Sequence, residues 1–496
     1  MATMAAVDLG AQSGRVALGR FDGERLEVEE VHRFLNVPVR ARGTLYWDVL
    51  RLYEDMLDGL VMAGAGGAAV DSVGVDTWGV DFGLVDRAGR LLQNPVHHRD
   101  GRTEGAMECV FEEVPARELY ERTGIQLMPI NSIFQLAAMR EADDPVLEAA
   151  DRLLLVPDLL HYWLTGVAAC EYTNATTTQC LDARTGTWAR DLLSRLEIPD
   201  RILPEVVPPA TVLGRLDDQV AERTHLSDAV VVASATHHTA SAGAAAPFRH
   251  PDAAYISCGT WSLVGLERPA PAIDDRSFAA NLTNEGGIGG TFRVLRNVTG
   301  LWLLHECRRA WADAGSSWEF EELLAMAEQA PAFRSFIDPN DGAFLSPGDM
   351  PGRIREFCLR SGQEVPDDPA AVVRCVLESL ALKHAQTVRV LSEATGATPP
   401  EIHIVGGGAR NDLLCRWTAN AAQLLVLAGP DEATVVGNLV VQAIALGHLE
   451  SPAEAREVVR RSVELSLHEP DEQPEWDEAR ARFAAIVASR SLEVSA

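Results

Sequence analysis

The sequence predicts an α/β protein built as two similar halves, and three observations predict it. A glycine-bearing β-turn-β pattern occurs twice, as AAVDLGAQSGRVALG (5–19) and AYISCGTWSLVGLE (254–267), with Gly10 falling against Gly259 and Ala11 against Thr260. Between the copies lies VVASATHHTASAG (231–243), a β-type run that passes through a small polar turn into an Ala/Ser-rich helix start. The chain of 496 residues, 47% hydrophobic and 23% charged, has the composition of an ordinary soluble globular protein of more than one domain. If both glycine turns hold phosphate, the middle stretch lies where the halves meet, and a substrate would bind there.

Charge and composition exclude several classes. The net charge of −29 argues against nucleic acid and against an anionic membrane face, since both call for a basic footprint. Lys383 is the only lysine, and it lies in LESLALKHAQTV, a helix with no glycine loop before it. A P-loop and a protein-kinase strand lysine are therefore excluded. Schiff-base chemistry is disfavoured as well, because a lysine on a helix surface is expected to be solvated. The eight cysteines show no C-x-x-C and no short Cys/His ligand spacing, which argues against a structural zinc. No secretory signal is read at the N-terminus, and LLLVPDLLHYWLTGVAA is broken by Pro157 and Asp158, so a cytoplasmic protein without a membrane span is expected.

In chain order, Met4–Leu9 reads as a buried strand ending near Asp8. The turn Gly10–Gly14 and the strands Arg15–Phe21 and Leu26–Phe34 follow. Such a turn points several backbone N–H groups at one anion, Asp8 suits a Mg²⁺-bound water, and Arg15 suits phosphate oxygens. The same residues also suit a plain hairpin with a surface Asp and Arg. WDVLRLYEDMLDGLVMAG is an amphipathic helix, and DSVGVDTWGVDFGLVD a buried strand meeting Asp76, Trp78, Gly79 and Asp81 at its end. A carboxylate beside a tryptophan and a glycine suits sugar binding, and equally an acidic turn at a sheet edge. Residues 131–170 read as helices and EYTNATTTQ (171–179) as polar extended chain.

The second half opens near Ala244. A β-region runs from 281 into a helix by 311, helices continue to about 400, and IHIVGGGARNDLLCRW (402–417) is a strand, a triple-glycine turn and a helix. That arrangement lets an adenine or ribose lie on bare backbone at a helix start. GPDEATVVGNLVVQA is a loop entering a helix, and two helices close the chain, the first with Ser451 as cap and Pro452 at its first position.

Taken together, these pieces resemble the FGGY carbohydrate kinases of the actin-like ATPase superfamily, and within them the rhamnulokinase type. The resemblance runs nearly end to end. It rests on VDLGAQSGRV, DTWGVDF, RDGRT, RTGIQ, EYTNATTTQ, HTASA, SCGTWSL, NLTNEGG, GLWLL, IHIVGGG and GPDEATVVGN. It implies two ribonuclease-H-like domains around a central cleft, with spans 1–244 for sugar and phosphate, 245–450 for nucleotide, and 451–496 as C-terminal helices. ATP and Mg²⁺ are the implied cofactors. Ala11, Gln12, Ser13, Gly14 and Arg15 would hold the ATP phosphates with Asp8 near Mg²⁺, while Thr260, His305 and Gly407 would contact the nucleotide. Gly79, Asp81, His237, His238, Thr239 and Asn297 would face the ketose. The implied reaction is transfer of the γ-phosphoryl group to O1 of L-rhamnulose. A kinase for L-fuculose, and a pseudokinase that senses sugar and nucleotide, are the alternatives, and an oligomer is compatible with all three.

One departure bears on chemistry. The rhamnulokinase type has Asp between His and Thr where this chain has His238, and that Asp is the general base. A histidine of unperturbed pKa near 6.5 is mostly neutral at pH 7 and can accept a proton, while nearby phosphate would raise its pKa and block acceptance. An impaired kinase is expected. His305, where related enzymes have Gln, is a minor departure. The related enzymes also have cysteines matching Cys358 and Cys375, which bracket GQEVPDDPAA, a loop that would let them meet. In a reducing cytoplasm free thiols are expected.

Overall fold

The computed structural model describes residues 1–65, 69–471 and 474–493, with side chains to 488. Two compact units form. The first comprises Met1–Pro247, Glu267–Val294 and Ala433–Val463, and the second Phe248–Leu266, Leu295–Glu432 and Glu464–Ala496.

The first unit is built on a six-stranded sheet. Its order is Thr211–Arg215, Val230–Ala233, Ser72–Thr77, Ala2–Leu9, Ser13–Phe21, Leu26–Leu35. Ala2–Leu9 pairs antiparallel with Ser13–Phe21 and parallel with Ser72–Thr77, which pairs parallel with Val230–Ala233. Ala2–Leu9 is buried along its whole length, as befits a central strand covered on both faces. The helices Val49–Ala65 and Val156–Thr165 bring Leu52, Met56, Leu60, Leu159 and Leu160 into one core with Val7, Val16, Val73 and Val231.

The helix Ala433–Ala445 packs against the first sheet through a polar ladder. Asn438 and Gln442, one turn apart, face Ser72, Gly74 and Asp76, the same-face residues of a strand. Gln442 Nε2 donates to Ala5 O at 3.0 Å, and Ser72 Oγ donates to Gln442 Oε1 at 2.6 Å. A Cβ on Gly74 would lie 2.4 Å from Asn438 Oδ1, so glycine is what admits the ladder.

The second sheet runs Thr283–Gly286, Phe292–Thr299, Trp261–Arg268, Ala254–Cys258, Glu401–Val405, Leu425–Ala428, Ser466–His468. Ala254–Cys258 pairs antiparallel with its successor and parallel with Glu401–Val405, which pairs parallel with Leu425–Ala428. With the edge strands Thr211–Arg215, Thr283–Gly286 and Ser466–His468 set aside, the five remaining strands of each sheet share the order 3-2-1-4-5. The duplicated hairpin in the sequence is thus the start of a duplicated topology.

Several elements differ from the sequence reading. Within 131–170 the strand Arg152–Leu155 separates two helices, pairing with Phe82–Val85. EYTNATTTQ forms the helix Tyr172–Thr177, because the Glu171 side chain caps it by accepting from Thr173 N at 2.8 Å. The short strands Leu425–Ala428 and Ser466–His468 lie outside the reading, and the second falls between the two closing helices. Lys383 is not solvated. It sits 2% exposed in the helix Pro369–Thr395, its Nζ 2.9 Å from Asp338 Oδ1, and burial lowers its pKa against the pull of that carboxylate. Each of the two units is built from three separate stretches of chain. Among the described residues no helix is long and apolar enough to cross a membrane, and all eight cysteines, Cys358 and Cys375 included, are free thiols.

Candidate active site

Three strand ends of the first unit carry its charged centre. Asp8 is register partner to Arg15 on one side and to Asp76 on the other. Arg15 Nη2 and Nε donate to Asp8 Oδ2 at 2.7 and 3.0 Å. The pair assigned separately to metal and phosphate is therefore an ion pair in this structure. Asp76 is fully buried and accepts from Asn438 Nδ2 at 2.6 Å, while its Oδ1 has no donor. Burial, and then the Asp8 charge, push the Asp76 carboxyl well above its usual range. Two neighbouring carboxylates with an unsatisfied oxygen are the donor set a hard divalent cation takes, so these residues fit Mg²⁺.

The turn beside them is closed by its own backbone. Gly10 N donates to Ser13 O at 2.9 Å, and Asn36 binds both sides of the turn, its N donating to Gln12 O and its Nδ2 to Gly10 O. Ala11 and Gln12 form its tip, and Gly14 lies against the Phe34 ring, where a Cβ would come within 2.4 Å.

The histidine turn is held by Glu171. Its Oε2 accepts from Thr173 Oγ1, Thr236 N and Thr236 Oγ1 at 2.5, 3.0 and 2.8 Å. Thr77 N donates to Thr236 O at 2.9 Å, which joins this turn to the end of the Ser72–Thr77 strand. His237 then caps, and His238 begins, the helix His238–Ala244. The two imidazoles stack with centroids 5.6 Å apart and planes 17° apart. Burial, then His237, lower His238 to about 4 although Asp8 and Glu285 oppose this. The imidazole is neutral at pH 7, as expected, but for a different reason and with a lower pKa than an exposed histidine.

His237 is packed into a buried ionic cluster that the sequence reading missed. Its Nδ1 lies 3.2 Å from Glu285 Oε2 and 3.2 Å from Arg293 Nη2. Arg293 donates to Glu285 Oε2 at 2.9 Å, to Thr239 Oγ1 at 2.8 Å and to Gly286 O at 2.9 Å. Glu285 lies inside the NLTNEGG stretch that stood out in the sequence, but its partner is eight residues on, across a turn.

Gly79 and Asp81 have different standings. A Cβ on Gly79 would lie 2.8 Å from Thr177 Oγ1, which also accepts from Val80 N at 3.0 Å, so Gly79 lies against the Tyr172–Thr177 helix. Asp81 is fully buried, and both of its oxygens accept from groups of the protein itself. Its Oδ2 accepts from Trp47 Nε1 at 2.6 Å and Trp78 Nε1 at 3.0 Å and lies 2.7 Å from His98 Nδ1, while Gln135 Nε2 donates to Oδ1 at 3.2 Å. Burial raises this carboxyl, but His98, His97 and Trp47 outweigh it and hold it below the usual range. His97 and His98 are near enough to Asp81 to suggest a metal site. The ring of N–H donors, with His97 Nδ1 accepting from Arg99 N at 3.0 Å, argues for a structural hub instead.

In the second unit, Thr260 sits in the turn after Ala254–Cys258, and its carbonyl accepts from Gly300 N at 3.1 Å. Gly407 is exposed in the turn after Glu401–Val405, and a Cβ on its neighbour Gly408 would meet Cys258 Sγ at 2.2 Å. The two glycine turns of this unit are therefore packed on each other. Asn297 is half-buried, its carbonyl accepting from Asn340 Nδ2 at 3.2 Å, and burial lowers His305 on the helix Trp302–Asp313.

Two sheets with a common five-strand order, each opening on a glycine turn, define a two-domain α/β fold. Residues 3–244 match the N-terminal domain of the FGGY family of carbohydrate kinases, and residues 254–446 its C-terminal domain. The chain belongs to that family. It is 42% identical over 482 residues to the rhamnulokinase of Bacteroides thetaiotaomicron, covering 97% of this chain and 99% of the relative. It is 39% identical over 493 residues to that of Enterococcus faecalis, covering 99% and 98%. Among solved structures, xylulose kinase from Lactobacillus acidophilus superposes with a TM-score of 0.83 at 15% identity, covering 100% of this chain and 99% of that one. Plasmodium falciparum glycerol kinase with ADP gives 0.76 at 14%, covering 99% and 98%.

Proposed function

We propose that the protein phosphorylates L-rhamnulose at O1 with ATP, giving L-rhamnulose 1-phosphate and ADP. The observation that carries the reading is identity of about two residues in five with proteins named rhamnulokinase over 97% of the chain, with matching length. The division of labour follows the spans 1–244 and 245–450. Gly79, His237, Thr239 and Asn297 contact the ketose, Ala11–Arg15 the phosphates, and Thr260, His305 and Gly407 the nucleotide. Asp81 belongs to the hub that shapes the sugar side.

Phosphoryl transfer relies on positioning and charge stabilisation more than on covalent help. Asp8 and Asp76 would hold Mg²⁺, which would supply charge neutralisation at the phosphates. His238 stands at the base position. Its neutral ring accepts the O1 proton as O1 bonds to the γ-phosphorus and the bond to ADP breaks. ATP as co-substrate fits a cytoplasmic location. The test is ADP release that requires both ATP and L-rhamnulose, with L-fuculose as the comparison. Binding of both ligands without ADP release would leave a pseudokinase, and release with L-fuculose alone would reassign the sugar.

A further inference from the structure

We propose that Glu285 is a positioning residue for proton acceptance at the His237–His238 pair: it fixes Arg293, the donor to His237 Nδ1, and cancels the guanidinium charge beside that ring. The proposal rests on the kinase reading and on His238 occupying the base position. An aspartate there would bring its own negative charge and become neutral on taking the proton. An imidazole starts neutral and becomes a cation, so the surroundings must tolerate a positive charge.

The surroundings are buried and contain a second cation. Arg293 has a side chain 1% exposed, and its Nη2 is 3.2 Å from His237 Nδ1. A buried guanidinium at that distance opposes an imidazolium on either ring. Glu285, 5% exposed, lies 2.9 Å from the guanidinium and 3.2 Å from the same imidazole nitrogen. One carboxylate thus faces both groups. The ring stack, 5.6 Å between centroids, carries the arrangement on to His238.

The charges around each ring agree with this. His237 is lowered first by burial, and Glu285 opposes the shift while Arg293 adds to it. For His238, burial and His237 lower the ring, Arg293 adds to that, and Asp8 and Glu285 oppose it. Glu285 itself is raised by burial, but Arg293 and His237 outweigh this and keep it ionised. Removing its charge leaves Arg293 uncompensated beside two rings, one of which must become cationic.

The test compares the native protein with Glu285→Gln and with Glu285→Gln/Arg293→Gln, in which the cluster is neutral and of similar shape. Ring titrations by ¹³C NMR, with His238→Asn to assign the signal, are measured beside kcat and KM for L-rhamnulose. Glu285→Gln is expected to lower both ring titrations and to reduce kcat about 10-fold or more, a fraction of general-base help, with KM changed less than about 3-fold. The double variant is expected to return the titrations and kcat most of the way to native. Glu285→Gln with native titrations and kcat, an effect on KM alone, or equal impairment in both variants would overturn the proposal. If the single variant does not fold, the double variant against native decides: a ring titration far below native overturns it. If the native protein releases no ADP, the kinase reading fails, and the ring titrations still judge the role of Glu285.

Discussion

Asp76 and Asn438 meet at 2.6 Å although 362 residues separate them, and this contact ties the helix Ala433–Ala445 to the central strands of the first unit. Asn438 and Gln442 bond three polar groups of one strand face: Ser72 Oγ, Gly74 O and Asp76 Oδ2. Asn438→Ala removes the donor to a buried carboxyl and the acceptor for Gln442. Leaving such groups unpaired costs about 1–3 kcal/mol. Urea unfolding should show the midpoint falling with an unchanged m-value, and an unchanged midpoint would mean the ladder carries no stability.

The same helix approaches His238–Ala244 at Gly437. A Cβ there would lie 1.7 Å from Ser241 O, and the neighbour is backbone that cannot rotate away. Overpacking typically costs about 1–3 kcal/mol, and a backbone clash belongs at or above the upper end. Gly437→Ala should lower the melting temperature by several degrees and impair kcat too, because the helix that must shift begins at His238. Native-like melting and turnover would show that the two helices separate easily.

A third expectation concerns pH and lies in the second unit. Glu378 accepts from Arg374 Nε at 2.7 Å and from Phe333 N at 3.0 Å, and burial pushes its carboxyl from 4.5 up to about 7 against the pull of Arg374. The folded protein holds this proton more tightly than the unfolded chain. The stability it contributes is therefore full below about pH 4.5, declines as pH rises to about 7, and is flat above that. A shift of this size corresponds to about 3 kcal/mol. Glu378→Gln should remove that part of the slope in unfolding free energy between about pH 5 and 7, and an unchanged slope would show that the group titrates elsewhere.

What the sequence could and could not reveal follows from the range of the interactions. The hairpin pattern was legible twice because strand, glycine turn and strand lie within fifteen residues, and pairing there is local. The protein partners of Asp81 were not legible because Trp47 and His98 come from 34 residues before it and 17 after. EYTNATTTQ looked extended because Thr is a poor helix former, while its capping acceptor, Glu171, is fixed by Thr236 from another element. Lys383 looked solvated because Pro369–Thr395 is buried on most of its circumference, which erases the amphipathic stripe that marks a surface position. The motif residues themselves were visible. Arg293, which gives Glu285 its meaning, carried no local signal.

The remaining prediction concerns His238 and separates its free and bound states. In the free protein burial and His237 hold the ring at about 4, close to an ordinary aspartate. The acid limb of kcat/KM reports free enzyme and should fall well below pH 6.5, toward 4. Bound ATP brings negative charge, which favours the imidazolium, so the acid limb of kcat should lie at higher pH than that of kcat/KM. A limb near 6.5 in kcat/KM would mean that the ring is hydrated in solution. The variants follow from the same numbers. His238→Asn deletes the base and should lower kcat by about 10²–10⁴. His238→Asp replaces one base with another of similar strength, so turnover should stay within about 10-fold of native, by Brønsted reasoning. An increase of about 10² or more would show that the imidazole is mispositioned for O1 instead of too weak a base, and His238→Asn at native turnover would remove the residue from catalysis.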